Sequence, residues 1–212
     1  MKQDLLKQIA LKGYIVGYAA NLNFATFDIV TKLPGRIAFL SIVVGILGLG
    51  WSEFMAKPIS VAILIMGVAS IYIERFTPDI DSYKSRGVRN TEQLNQLKNL
   101  YTEVKGMEED SDFNSIRKRY VEIESEFNTT SQPNQIAFSN WVAHFKLFCE
   151  KDVSWMDEQL HFGWWKDKIP QTAKVCLFIL VIVIIIYYCI VIPTLNAVSY
   201  THLRAHETCA DL

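Results

Sequence analysis

Two charge-free apolar runs lie close together in the first third of the chain, residues 37–51 and 58–73. They are parted by a connector around Met55-Ala56-Lys57 that is too short for anything but a tight turn. A helix climbs about 1.5 Å per residue and needs roughly 17–25 residues to cross some 30 Å of hydrocarbon. Each run reaches that length only if its ends sit in the interface, where Trp51, Phe54 and Tyr72 suit the boundary between lipid and water. The pair predicts a transmembrane helical hairpin over residues 36–73. A third run, VCLFILVIVIIIYYCIVI at 175–192, carries no charge and few small residues, which predicts a lipid-facing third span within 171–197.

Ahead of the hairpin, residues 1–35 place Leu5, Ile9, Tyr14, Tyr18, Leu22 and Phe27 at helical spacings with Lys2, Lys7, Lys12 and Lys32 between them. This pattern predicts an amphipathic helix, lying in the membrane interface or packed in a soluble subdomain. Leu33-Pro34-Gly35-Arg36 is expected to end it, because proline disfavours helix in the residue before it and glycine loosens the chain.

The polar stretch 74–170 reads as all helix. After a loop at Thr77-Pro78 and Arg86-Gly87, a helix capped by Asn90 or Thr91 carries the stripe Leu94, Leu97, Tyr101 and Val104 and stops at Gly106. The next, capped by Ser111 or Asp112, repeats Ile116, Tyr120, Ile123 and Phe127. These two are expected to form an antiparallel pair with one apolar seam, which is also open to a partner protein. A third helix turns Ile136, Trp141, Phe145 and Phe148 inward, and a fourth, over 155–168, brings Trp155, Leu160, Phe162, Trp164 and Trp165 to the membrane interface. Residues 198–212 form a tail in which 199–208 resembles translated sequencing-adapter DNA, so no site is assigned there. The fold class expected is an all-α membrane protein: amphipathic helix, transmembrane hairpin, cytosolic helical region and a C-terminal third span.

A net charge of −1 over 212 residues gives no basis for nucleic-acid binding. Charge placement matters more. Lys32 and Arg36 precede the first span, and Arg75, Lys84, Arg86 and Arg89 follow the second, so the N-terminus and the middle region are expected to face the cytoplasm. The lysines before the third span put its start on the same side. Cysteines divided between the polar middle and an apolar run suggest no disulfide framework.

No catalytic set emerges. Gly45, Gly48 and Gly50 lie inside a span and not between a strand and a helix, so they form no phosphate loop. Asp157, His161, His144 and Cys149 lack zinc spacing, and Arg117-Lys118-Arg119 is balanced by Glu122, Glu124 and Glu126. Neither enzymatic activity nor a cofactor is expected. Small residues are the other feature of the hairpin: Ser41, Gly45, Gly48 and Ser52 in the first span and Gly67 in the second let helix backbones approach within lipid. They pack the hairpin on itself or, in the sharper reading, neighbouring copies into a ring.

The phrase Gly17-Tyr18-Ala19-Ala20, then Phe24-Ala25-Thr26-Phe27-Asp28-Ile29-Val30-Thr31-Lys32-Leu33-Pro34-Gly35, followed by two spans with a minimal connector, resembles the bacterial SLATT family, the SMODS- and SLOG-associating two-transmembrane effectors. The likeness covers about residues 1–170. It implies a membrane effector of conflict and anti-phage systems, switched on by a partner that makes or senses a nucleotide signal, which oligomerises and damages the bilayer by forming pores. The third span departs from the two-span plan. The other reading is a non-enzymatic anchor that docks a soluble partner through its cytosolic helices.

Overall fold

The computed structural model describes residues 1–129, 134–163 and 165–191, and these fold into helices and the turns between them. The chain divides into two compact units, Met1–Lys168 and Ile169–Leu212.

The first unit is built on a single helix, α1, which runs unbroken over Lys2–Gly50. At 1.5 Å per residue it is roughly 74 Å long. Its N-terminal part is the spine of the main core, where Leu5, Leu6, Ile9 and Val16 are buried with Leu97, Tyr101, Val104, Ile116 and Trp155. The stop expected at Leu33-Pro34-Gly35-Arg36 does not occur, so the amphipathic segment and the first span are one element. Pro34 forfeits the bond to the Val30 carbonyl, a loss of about 3 kcal/mol. Opening the helix there would cost more. Val30 and Ile37 are buried on either side of the proline, and beyond it lies a stretch apolar enough to cross a membrane, where an unpaired N–H or C=O would cost several kcal/mol in lipid.

A 3₁₀ turn at Ser52–Met55 leads into α2, Lys57–Glu74, whose Pro58 sits in the first turn where its missing N–H is harmless. A second 3₁₀ turn at Thr77–Asp79 starts α3, Ile80–Gly106. The loop expected at Arg86-Gly87 is helix instead. Gly87 is needed for close approach: a Cβ there would lie 2.8 Å from the Phe24 ring. Asn90 and Thr91 are therefore interior residues and not caps. Phe24 against Gly87 and Gly17 against Leu94 set α1 and α3 antiparallel. At the far end the Lys2 ammonium donates to the Lys105 carbonyl at 3.0 Å and also to Met107, placing a cation on the C-terminus of α3.

Helix α4, Asn114–Thr129, is preceded by Asp112, whose carboxylate accepts from the Asn114 N–H at 3.0 Å; the cap expected at Ser111 or Asp112 falls instead at Phe113, whose carbonyl accepts the first helical bond, from Arg117. It is tied to α1 by Lys12, which was expected among water-facing lysines but is 7% exposed. The Lys12 ammonium lies 3.1 Å from Glu124, donates to Asn128 at 3.1 Å and sits 4.9 Å from the centre of the Phe127 ring.

Helix α5, Ser139–Phe145, continues into a π turn, Lys146–Glu150. Of the residues predicted to face inward, Ile136 is buried just before the helix begins and Phe148 packs on Tyr14 and Phe162, but Phe145 is 61% exposed, and Ala143, His144 and Leu147 are buried instead. The fourth polar helix, α6, is only Ser154–Leu160, stopped by His161 in the left-handed region at φ 48°. Its tryptophan is not interfacial. Trp155 packs at 5.2 Å, tilted, against Tyr101, its ring leaves no room for a side chain at Gly13, and Leu160 and Phe162 pack on the same core. Trp165 is exposed, and Trp164 lies outside the described residues.

The second unit contains α7, Gln171–Ile186, extended by a π turn at Tyr187–Val191. Residues 192–197 of the segment predicted for the third span and the whole tail lie outside the described residues.

Candidate functional site: the apolar hairpin and its base

Among the described residues three helices are long and apolar enough to cross a membrane: α1, α2 and the stretch Gln171–Cys189. Along the first two, side chains that would be costly in water stand open, among them Phe39 at 67%, Leu49 at 91% and Ile71 at 71% exposed. A contiguous apolar surface of this kind calls for lipid or protein to cover it.

Within the hairpin the small residues do not converge. The Ser41 hydroxyl donates to the Ile37 carbonyl at 2.9 Å, and Ser70 donates to Met66 at 3.2 Å, so each is satisfied by its own helix. At Gly45 and Gly67 an added Cβ would meet nothing within 4 Å. These two faces are not used in packing α1 on α2. Gly48 is half-buried, and Ser52 leaves the stripe altogether because α1 ends at Gly50 and Ser52 belongs to the connecting turn.

The base of the hairpin is more tightly built than its apolar shaft. Four consecutive residues, 134–137, strap three helices together. The Asn134 carbonyl accepts from the Tyr83 hydroxyl of α3, and the Thr26 hydroxyl of α1 donates to Gln135 at 2.6 Å. Ile136 is buried with Val30 of α1 and Ile73 of α2, and the Ala137 N–H donates to the Tyr72 hydroxyl at 3.4 Å. Burial raises the Tyr83 pKa, Asp79 adding to the effect and Arg86 opposing it, so this phenol stays a neutral donor.

Beside the strap, Asp28 receives Lys146 at 2.7 Å and Lys32 at 2.5 Å. Burial pushes the Asp28 carboxyl up, but hydrogen bonds and charge from the two lysines outweigh it, and its pKa lies below the ordinary 3.8. One carboxylate thus joins α1, just before the span, to the turn that follows α5. Between the strap and the main core, α1 meets α3 through buried polar groups. The Asn23 carbonyl oxygen and the Asn90 amide nitrogen are buried without a hydrogen-bond partner, which makes this stretch of the contact less satisfied than the apolar core beyond it.

The seam predicted for a partner is filled from within. Leu97, Tyr101, Val104, Ile116 and Ile123 are buried, and Leu94, Tyr120 and Phe127 pack partly buried against the same core, because α1 lies along it. A partner must displace α1 or use another surface. Arg119 of the short basic cluster pairs with Glu103, and the Asp157 carboxylate accepts from the Phe162 N–H at 2.7 Å, which closes the end of α6. Among the described residues no group of His, Cys, Asp and Glu is arranged to hold a metal.

The strap and Asp28 were not singled out from sequence. Within 134–137 only Ile136 was expected to face inward, and then as part of a helix, while Asp28 sitting four residues before Lys32 was a visible hint.

A family model described as SMODS and SLOG-associating 2TM effector domain 6 matches residues 1–177. The match takes in the whole first unit and ends inside α7, so most of the third apolar helix lies beyond it. No curated protein and no solved structure matches the chain significantly.

Proposed function

The chain belongs to the SMODS and SLOG-associating 2TM effector domain family, and from that premise we propose that it is a membrane effector of a bacterial conflict system whose hairpins assemble into a permeability pathway. The observation that carries this reading is the continuity of α1: one helix is both the spine of the polar bundle and the first apolar span. A displacement of the bundle is then a displacement of the span, with no flexible linker to absorb it.

The bundle faces the cytoplasm, the side that the positive-inside rule favours for the lysines and arginines at the base, and meets there a partner that makes or senses a nucleotide. Binding shifts α3 against α1 where Asn23 and Asn90 leave the contact least satisfied and loosens the strap at 134–137. The open faces at Gly45 and Gly67 then meet those of neighbouring copies, since small residues allow the close backbone approach that drives association in lipid. The protein acts without catalysis or cofactor.

The test is permeability. Induced expression should collapse membrane potential, and Gly45→Leu should abolish the collapse while the protein still fractionates with membranes. Undiminished toxicity of that variant would remove Gly45 from the assembly face. The scaffold reading predicts harmless expression and release of a soluble partner on truncation within residues 94–127. It has less to stand on, because the seam it would use is occupied by α1.

A further inference from the structure

Phe138 is in an unusual state. It is a bulky residue in the left-handed region, at φ 67°, and its side chain is 64% exposed. Phenylalanine rarely adopts this backbone, and the neighbours hold it there. The Ser139 N–H and hydroxyl both bond the Ile136 carbonyl, at 3.2 and 2.7 Å, and the Phe138 carbonyl accepts from Trp141 and Val142 at 3.0 and 3.2 Å. The fold thus maintains a strained turn that leaves an aromatic ring uncovered, with the Trp141 ring against it at 5.4 Å.

The strap fixes how deep this pair lies. Ala137 bonds Tyr72 and Ile136 packs on Ile73, both within the last turn of α2. Phe138 follows directly, and consecutive Cα atoms are about 3.8 Å apart. Its backbone therefore sits at the level where the second span ends. The headgroup layer is roughly 5–8 Å thick on each face of a bilayer, within reach of a phenylalanine ring starting there. Tyr72 and Phe76, themselves in contact at 5.5 Å, mark the same level, as do the exposed cations Arg36 and Arg75.

We propose that Phe138 and Trp141 form a third membrane contact of the first unit, a non-spanning aromatic foot seated in the headgroup region of an anionic bilayer beside the base of the hairpin. The Trp141 indole is a ring type favoured at that level, the apolar Phe138 ring suits the headgroup–acyl boundary beneath it, and the occupant is lipid because the patch continues the surface of a span. The proposal rests on the hairpin being embedded and not on a pore being formed.

The experiment uses the full chain with Cys149, Cys176, Cys189 and Cys209 replaced by serine and a single environment-sensitive fluorophore at Phe138→Cys. The control carries it at Lys118→Cys, on the exposed face of α4 next to Arg119, which pairs with Glu103 far from the hairpin. Both are reconstituted in phosphatidylcholine–phosphatidylglycerol vesicles, with and without lipid bearing a nitroxide on the fifth acyl carbon. The label at 138 should emit at shorter wavelength than that at 118 and lose about half its intensity to the nitroxide, as expected of a group at the headgroup–acyl boundary. A label at Trp141→Cys should behave like that at 138, and serves if labelling at 138 disturbs the turn. Water-like emission without quenching at both positions overturns the proposal. A blue-shifted but unquenched label overturns it too, since the cover would then be protein. Adding Gly45→Leu should leave every one of these signals unchanged, which separates the foot from the assembly.

Discussion

Substituting alanine at Gly87 sets two effects of opposite sign against each other, and the structure decides between them. In a helix interior, glycine to alanine is worth about 1 kcal/mol of stabilisation. At Gly87 the new Cβ would lie 2.8–2.9 Å from three carbons of the Phe24 ring, closer than carbon atoms tolerate, so α1 and α3 must part by several tenths of an ångström or the ring must turn. Overpacking of this kind costs about 1–3 kcal/mol. The net expectation is a loss of about 1 kcal/mol, or a fall of about 2–4 °C in the unfolding temperature for a chain of this size. The decisive comparison is made with Phe24→Ala as the background. With the ring gone, Gly87→Ala should stabilise by its helix propensity alone, giving a coupling of about 2 kcal/mol between the positions. Thermal unfolding of the four proteins in detergent, followed by tryptophan fluorescence, measures it. If Gly87→Ala raises the unfolding temperature equally in both backgrounds, the close approach of α1 and α3 near the hairpin is wrong.

Other expectations follow from the same contacts. Asp28 has a depressed pKa, so its contribution to stability is complete above the unfolded value near 3.8 and fades as pH falls through the lower folded value. Asp28→Asn should therefore lower the unfolding temperature at neutral pH and flatten its decline below about pH 4; a decline as steep as that of the parent would exclude Asp28 as a contributor. Asp152, held down to about 2 by Ser154 and Lys98, is fully exposed and should matter far less. Lys12→Ala leaves the half-exposed Glu124 without its partner and should cost about 1–2 kcal/mol in chemical denaturation, whereas Lys7→Ala, at an exposed position, should be silent. Tyr83→Phe removes the bond to Asn134 and should speed amide hydrogen exchange at Ala137 and Ser139 before it alters exchange in the core of α3; unchanged exchange there would mean that the strap does not depend on Tyr83.

How far the fold could be read from the chain depended on which physical signal dominated. The three long apolar helices were legible because charge-free runs have few alternatives, and the stripe Leu94, Leu97, Tyr101 and Val104 was legible because burial on one side leaves a period. Two of the errors are of one kind. Pro34-Gly35 and Arg86-Gly87 carry strong local signals for breaks, yet both are helical: the first because lipid and the flanking burial of Val30 and Ile37 favour an unbroken backbone, the second because its glycine makes room for Phe24. The phase error at Phe145 came from a helix of seven residues running into a π turn, too short to establish a period. Trp155 was assigned to lipid by composition, and only Tyr101 and Gly13 reveal that it fills the core. In the hairpin, the small residues were visible in the sequence, but their spacing could not say that Gly45 and Gly67 face away from the chain's own helices or that Ser52 falls beyond the helix end.

The claim on which the account turns is that α1 passes without interruption from the polar bundle into the bilayer. Spin labels at the exposed positions Leu11 and Ile46, in protein diluted with unlabelled copies in lipid vesicles, measure this by pulsed electron resonance. Thirty-five residues of continuous helix separate the two positions by roughly 50 Å, and a modest bend at Pro34 shortens that by only about an ångström or two. A dominant distance near 50 Å is the predicted result. One below about 40 Å would mean that the helix folds back at Pro34, and the direct mechanical link between bundle and span would be gone.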